Sequence, residues 1–297
     1  MVLEKYSGSG NDFLITHKLP NTTSDSVDME TLSLLAQKLC HRQNGIGADG
    51  MIIIRPHPTY AYQWIFLNSD GSEAKMCGNA SRCVAHYAYR HKLAKKAHAF
   101  YAGDRAIEVK VKSNDRVLSN LGNYSSIRIF QQNSSYNDQA YFVDTGVPHL
   151  VIFTKDKNLL PTEATEELKE LRMRYDANIN IVFIKSKTTL MVHTYERGVE
   201  DITLACGTGM AASSVVGNLL FRTSKTPICI PPSQETLHFF IQDKNISFEG
   251  NVSHIAKCTV PDRFFEQKTI ENEKGEGGGG TKYLTNLKSV GIRKHKM

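Results

Sequence analysis

Between Asp28 and Cys40, apolar residues return at Leu32, Leu35, Ala36, Leu39 and Cys40, the spacing of one helical face, with Asp28 placed to cap it. The polar stretch RQNGIGADG follows and reads as a loop; the apolar runs 51–54 and 62–67 read as strands. After the turn-rich NSDGSEAKM, the pattern Ala80, Val84, Tyr87, Ala88 predicts a helix that begins at or just before Cys77, with Cys83 facing the core. The second half repeats the order. Residues 180–184 and 189–195 read as strands, ERGVEDITLA as a loop, and CGTGMAASSVVGNLLF (206–221) as an amphipathic helix. Strand, polar loop, Cys-Gly, helix therefore occurs twice, which predicts an α/β chain of two similarly built halves that meet in the polar region near 115–140.

Composition adds little to this picture but removes alternatives. With 297 residues, 40% hydrophobic and 22% charged, the chain is ordinary globular material. The formal charge of +6 is half accounted for by residues 271–297, where Lys274, Lys282, Lys288, Arg293, Lys294 and Lys296 face only Glu271, Glu273 and Glu276. No basic stripe interleaved with aromatics remains, so no nucleic-acid partner is expected. GEGGGG (275–280) has the composition of a linker, and 271–297 is expected to be a flexible basic tail. The start MVLEKYSGSGNDF has no apolar signal core, and no apolar run is long enough to span a bilayer; a cytoplasmic protein without membrane contact is expected. Six cysteines, none in CxxC pairs, are expected to be thiols, with no metal site.

The chemistry lies in the repeated Cys-Gly. A cysteine at a helix start has its thiolate favoured by free N–H groups and the positive end of the macrodipole, and the glycine after it lets a ligand approach the backbone. Two such starts pointing at each other could hold one small anion between two sulfurs. That is the apparatus for inverting a stereocentre: one thiolate removes a proton and the opposite thiol returns one on the other face. The pair should then titrate as a unit that shares one proton. Taken singly, each cysteine is more often buried filler than a catalyst.

At NSDGSEAKMCGNASRC and TYERGVEDITLACGTGMAA the sequence resembles the diaminopimelate epimerase family, as do KYSGSGNDF, GIGADG (45–50), TGVPH (145–149) and ANINIVF (177–183), in the same order. The resemblance implies two pseudo-symmetric domains (1–125 and 126–270), each a β-structure wrapped around a central helix, usually as a homodimer. It implies cofactor-independent conversion of LL-diaminopimelate to the meso form, in lysine and peptidoglycan precursor biosynthesis. Cys77 and Cys206 would be the acid/base pair. Gly78, Asn79, Gly207 and Thr208 would supply amides around the α-carboxylate, and Asn11, Asn68, Asn178, Glu196 and Arg197 would hold the remaining substrate groups. His149 and Glu196 would tune the thiols, a His149 imidazolium favouring thiolate and a Glu196 carboxylate favouring thiol.

Bland readings exist for several of these: a hydrogen-bonded His149 beside a strand, a surface Glu196–Arg197 ion pair, and turn chemistry for Asn11 and Asn68. Asp12, Asp70 and Ser72 are read as turn and capping residues. The chain departs from the family at Val147, where asparagine is common, and at Gly50, where some relatives carry glutamine. The stretch between Arg197 and Cys206 is one residue longer than in many relatives. The alternatives are a related proline or hydroxyproline racemase or epimerase, and, from another class, a thiol redox switch or a metal clip in a binding protein.

Overall fold

The computed structural model describes residues 1–18, 27–74, 76–112 and 115–261; the expected tail, 271–297, lies outside them. The first half runs β1 (Val2–Gly8), β2 (Asn11–Thr16), α1 (Met29–Cys40), β3 (Gly50–Arg55), β4 (Gln63–Asn68), α2 (Gly78–Arg90), β5 (Ala97–Tyr101), β6 (Ala106–Val111) and β7 (Arg116–Asn123). β8 (Arg128–Gln131) ends this series, and the second runs β9 (Gln139–Asp144), β10 (Pro148–Thr154), α3 (Glu166–Tyr175), β11 (Asn178–Ser186), β12 (Thr189–Glu196), β13 (Asp201–Ile202), α4 (Gly207–Phe221), β14 (Ile228–Ile230), β15 (Leu237–Gln242), β16 (Asn245–Asn251) and β17 (Ser253–Thr259).

Both halves follow one plan. Parallel neighbours need a long crossover, and each half makes two: β2–β3 across α1 and β4–β5 across α2, then β10–β11 across α3 and β12–β14 across α4. The remaining ladders are antiparallel. α1 and α3 pack outside, against β3/β4 and β11; α2 and α4 touch strands around them. α1 starts as its sequence predicts, the Asp28 carboxylate accepting from Thr31 N–H at 2.7 Å.

α4 was expected to be amphipathic, but nearly every residue from Gly207 to Gly217 is buried, because strands surround it. α2 is likewise buried at each position from Gly78 to Ala88. A helix apolar or small on all sides, as α4 is from Gly207 to Gly217, belongs inside a core; the two main apolar clusters form around α2 and α4, although α2 also buries Asn79, Arg82 and His86. Cys83 and Cys40 lie in the core.

The halves join through the antiparallel pair β7–β16, equivalent strands of the two plans. Each half also lends its last strand to the other: β8, after β7, pairs with β9, and β17, after β16, pairs with β1. An antiparallel pair of equivalent strands has a local two-fold axis, and this one turns the starts of α2 and α4 toward each other.

Candidate active site

Cys77 and Cys206 are the N-cap residues of α2 and α4, each in an extended conformation and neither forming a side-chain cap. The first N–H groups of both helices thus stay available around the sulfurs. The helices are in contact, and one side chain fits between their starts. A Cβ on Gly78 would stand 2.9 Å from Phe248 Cζ, and one on Gly207 would stand 3.5 Å from Cε2 of the same ring and 3.9 Å from Asn79 Oδ1. Gly78 makes room for Phe248, whereas a Cβ on Gly207 would meet the ring at an ordinary contact distance.

Both thiols are free. The expected lowering of their pKa is overruled: burial pushes both up, Cys206 strongly. The helix N–H groups do act downward, those of Asn79 and Ala80 on Cys77 and that of Gly209 on Cys206, with Thr208 Oγ1 3.5 Å from Cys206 Sγ. Glu196 raises both thiols, and Cys77 raises Cys206. In a desolvated site, two negative sulfurs beside a carboxylate are unfavourable, so the resting pair keeps at least one proton.

Glu196 ends β12, and burial raises its own carboxyl, against a smaller downward pull from the Thr203 hydroxyl. His149 is fully buried. Its ring takes a hydrogen bond from Asn180 Nδ2 at 3.1 Å if Nδ1 is the acceptor, and Nε2 has no partner. Desolvation brings its pKa down to about 3, with the Asn180 contact opposing and Arg197 assisting. The expected imidazolium is therefore not the resting form; the ring is neutral.

The polar residues form two linked sets. In the first half, Asn79 Nδ2 donates to Asn11 Oδ1 at 2.7 Å and Asn11 Nδ2 donates to Asp49 Oδ2 at 3.0 Å. A carboxylate only accepts, so Asp49 sets which way both amides face and leaves Asn79 Oδ1 buried without a partner. Asp12, expected to serve only a turn, instead binds Arg42 through both oxygens and pairs with Lys5 at 2.9 Å. Asn68, at the end of β4, donates to Ser72 Oγ at 3.0 Å; Asp70 accepts from the Ser72 amide and hydroxyl, as expected of a turn.

In the second half, Asn178 Oδ1 accepts from the Arg197 amide at 2.8 Å and its Nδ2 donates to Pro148 O. Arg197 Nη1 meets Asp176 at 3.2 Å, and among the described residues it forms no ion pair with Glu196. Thr208 O accepts from Thr145 Oγ1 at 2.9 Å. The halves also touch where Leu204 lies over Gly10, 2.9 Å from where a Cβ would stand; Gly10 has φ +89°, and Asn11 follows it.

Asp49, Asn180, Phe248 and Thr145 were not singled out from the sequence. Asn180 had a local signal, an asparagine in an otherwise apolar strand; its Oδ1 occupies the space a Cβ on Gly209 would need. Phe248 had none. Val147 is half-buried in the turn before β10. At Gly50, a Cβ would meet Leu67 O at 2.6 Å, which explains why no larger side chain stands there.

No helix among the described residues is long and apolar enough to cross a membrane. Among those residues, no group of three or more His, Cys, Asp or Glu side chains could hold a metal ion, and the cysteine pair lacks the further ligands a clip needs.

In solved structures the fold recurs far from this sequence. A phenazine biosynthesis protein of the PhzF family from Bacillus anthracis superposes with a TM-score of 0.68 at 10% identity, over 88% of this chain and 99% of that one. A hydroxyproline epimerase from Agrobacterium vitis gives 0.63 at 11% identity, over 87% and 91%. Such likeness establishes architecture alone. Sequence is more selective: a diaminopimelate epimerase from Helicobacter pylori strain HPAG1 is 45% identical over 277 residues, covering 90% of this chain and 98% of the relative. The diaminopimelate epimerase family profile matches residues 3–127 and 141–255, so both Cys-Gly helix starts lie inside the match and the chain belongs to the diaminopimelate epimerase family.

Proposed function

We propose that this protein epimerises LL-2,6-diaminopimelate to the meso form by proton transfer between two sulfurs, with Cys77 and Cys206 on opposite faces of the α-carbon. The observation that carries the reading is the meeting of two Cys-Gly helix starts across Phe248, from equivalent places in two halves. The bound α-carboxylate would take the free amides of Gly78, Asn79, Gly207 and Thr208, and its charge would be stabilised by both helix ends. One thiolate takes the α-proton while the opposite thiol protonates the other face, so the charge changes sides and the sulfurs end with exchanged roles. Glu196 disfavours a second thiolate. His149, neutral and with one nitrogen unpartnered, can orient a polar neighbour without adding charge. Glu196, Arg197, Asn11, Asn68 and Asn178 supply acceptors and donors for the ammonium and distal carboxylate groups. Val147 offers no amide to the distal end, which narrows the polar contacts available there.

A homodimer in the cytoplasm completes this reading. A cyclic imino acid of the proline type is the runner-up on the shared fold; the identity to a diaminopimelate epimerase over nearly the whole chain favours the long substrate. Incubation of the reduced protein with LL-diaminopimelate in D2O tests the proposal. Deuterium at the α-carbon, with the meso isomer accumulating, is expected; exchange into proline instead would transfer the assignment to the runner-up.

A further inference from the structure

Arg82 is the largest fully buried side chain among the described residues, at 0% exposure, and no carboxylate there pairs with it. Among the described residues its one hydrogen bond runs from Nη2 to Ser9 Oγ at 2.7 Å, and Nε and Nη1 find no partner. The guanidinium lies in a slot at the seam of the halves. Cζ is 4.7 Å from the centre of the Phe248 ring, a Cβ on Gly250 would stand 3.1 Å from Cζ and Nε, and one on Gly8 would stand 3.5 Å from Nη2. Gly250 on β16 thus leaves space for a planar cation behind the ring that touches both helix starts.

A buried cation with no counter-ion is unfavourable unless an anion forms nearby. We infer that Arg82 is an electrostatic positioning residue for the site: from behind Phe248 it supplies the positive charge that allows one thiolate to exist between Cys77 and Cys206. The inference rests on the proposed reading of those two cysteines as the proton-transfer pair. Its charge stands behind the ring common to both helix starts and favours an anion on Cys77. The other groups that act on the thiols do not supply this charge. Glu196 at the end of β12 disfavours both thiolates, and Cys77 disfavours a thiolate on Cys206. Around Arg82 itself, Cys83 and Glu235 favour its charge and Arg116 opposes it.

The test is the pH profile of Cys77 alkylation by iodoacetamide in the full-length reduced protein, read by peptide mass spectrometry. The high-pH plateau reports access to the sulfur, whereas the midpoint reports its charge. Arg82→Met is expected to move the Cys77 midpoint up by about one pH unit, the scale of a nearby charge. Arg82→Lys should restore it to within about half a unit. Arg82→Gln keeps a planar donor for Ser9 without the charge; it should behave like Arg82→Met and serves in its place should that variant not fold. Cys258 is also partly exposed and pairs across strands with Leu3, five residues from Gly8; its profile should stay unchanged. A folded neutral variant with an unmoved Cys77 midpoint overturns the inference, as does an equal shift in Arg82→Lys. Alkylation needs no turnover, so a wild-type protein inactive on diaminopimelate would remove the proposed function while leaving this result readable.

Discussion

Gly78→Ala adds one methyl group where the two halves meet. Its Cβ would stand 2.9 Å from Phe248 Cζ, against about 3.5 Å for the closest comfortable carbon contact, so about 0.6 Å must be found. Phe248 has little room to yield: it is fully buried, stacked on Phe239 at 5.8 Å between centroids, and backed by Arg82. The start of α2 therefore moves instead, and Cys77 moves with it. Misplacing a reacting group by 1 Å can cost on the order of 100-fold, so about 0.6 Å should lower kcat/KM roughly tenfold. Overpacking should also remove about 1–3 kcal/mol of stability.

Gly207→Ala is the internal control. Its added methyl meets the same ring at 3.5 Å, an ordinary contact, and kcat/KM should change by less than about threefold. The assay is initial-rate epimerisation at saturating and subsaturating substrate, alongside thermal unfolding of both variants. Equal losses in the two variants, or a folded Gly78→Ala enzyme with wild-type kcat/KM, would refute the spacing argument.

His149 should betray its neutral state through stability. Its folded pKa, about 3, lies below the unfolded value of about 6.5. Only the unfolded chain gains this proton as pH falls from 6.5, so stability present above that pH is lost at about 1.4 kcal/mol per unit. Urea unfolding at pH 6.5 and 5 should therefore show His149→Gln losing about 2 kcal/mol less than wild type over that interval; an equal loss counts against a neutral, buried ring. Cys77→Ser and Cys206→Ser should each reduce turnover by at least about 100-fold with unfolding temperatures near wild type, because serine is too weak a base at neutral pH. A well-folded serine variant at near-normal rate would contradict two-thiol transfer. Oxidation to a Cys77–Cys206 disulfide should abolish activity and dithiothreitol restore it; activity that survives a verified disulfide would move the chemistry elsewhere.

Local sequence was informative where a pattern repeats within a few residues. The Asp28 cap, the starts of α2 and α4, and the core position of Cys83 all follow from spacing. Many strands escaped notice. β8, β14 and β17 are short or alternate without an apolar bias; β8 and β17 pair with strands of the other half, and β14 joins β12 across α4. α4, expected to be amphipathic, is buried almost all round, and its polar side chains are satisfied locally: Ser213 and Ser214 bond to carbonyls within the helix and Asn218 to Thr223 O. At the thiols the helix ends act downward as the sequence predicts, but burial outweighs them, and burial is a property of surroundings that no seven-residue motif contains.

By itself, then, the amino-acid order determined the two Cys-Gly helix starts, the repeated α/β plan and the family, since these depend on local periodicity and on residues matched in order. Only the tertiary structure decided that Phe248 packs against both helix starts, that Asp49 orients Asn11 and Asn79, that His149 is neutral and that Arg82, buried beside Phe248, meets no carboxylate among the described residues. Each of those is a relation between strands or helices far apart in the chain, and its energy depends on distance and desolvation, which exist only once the halves have closed on each other.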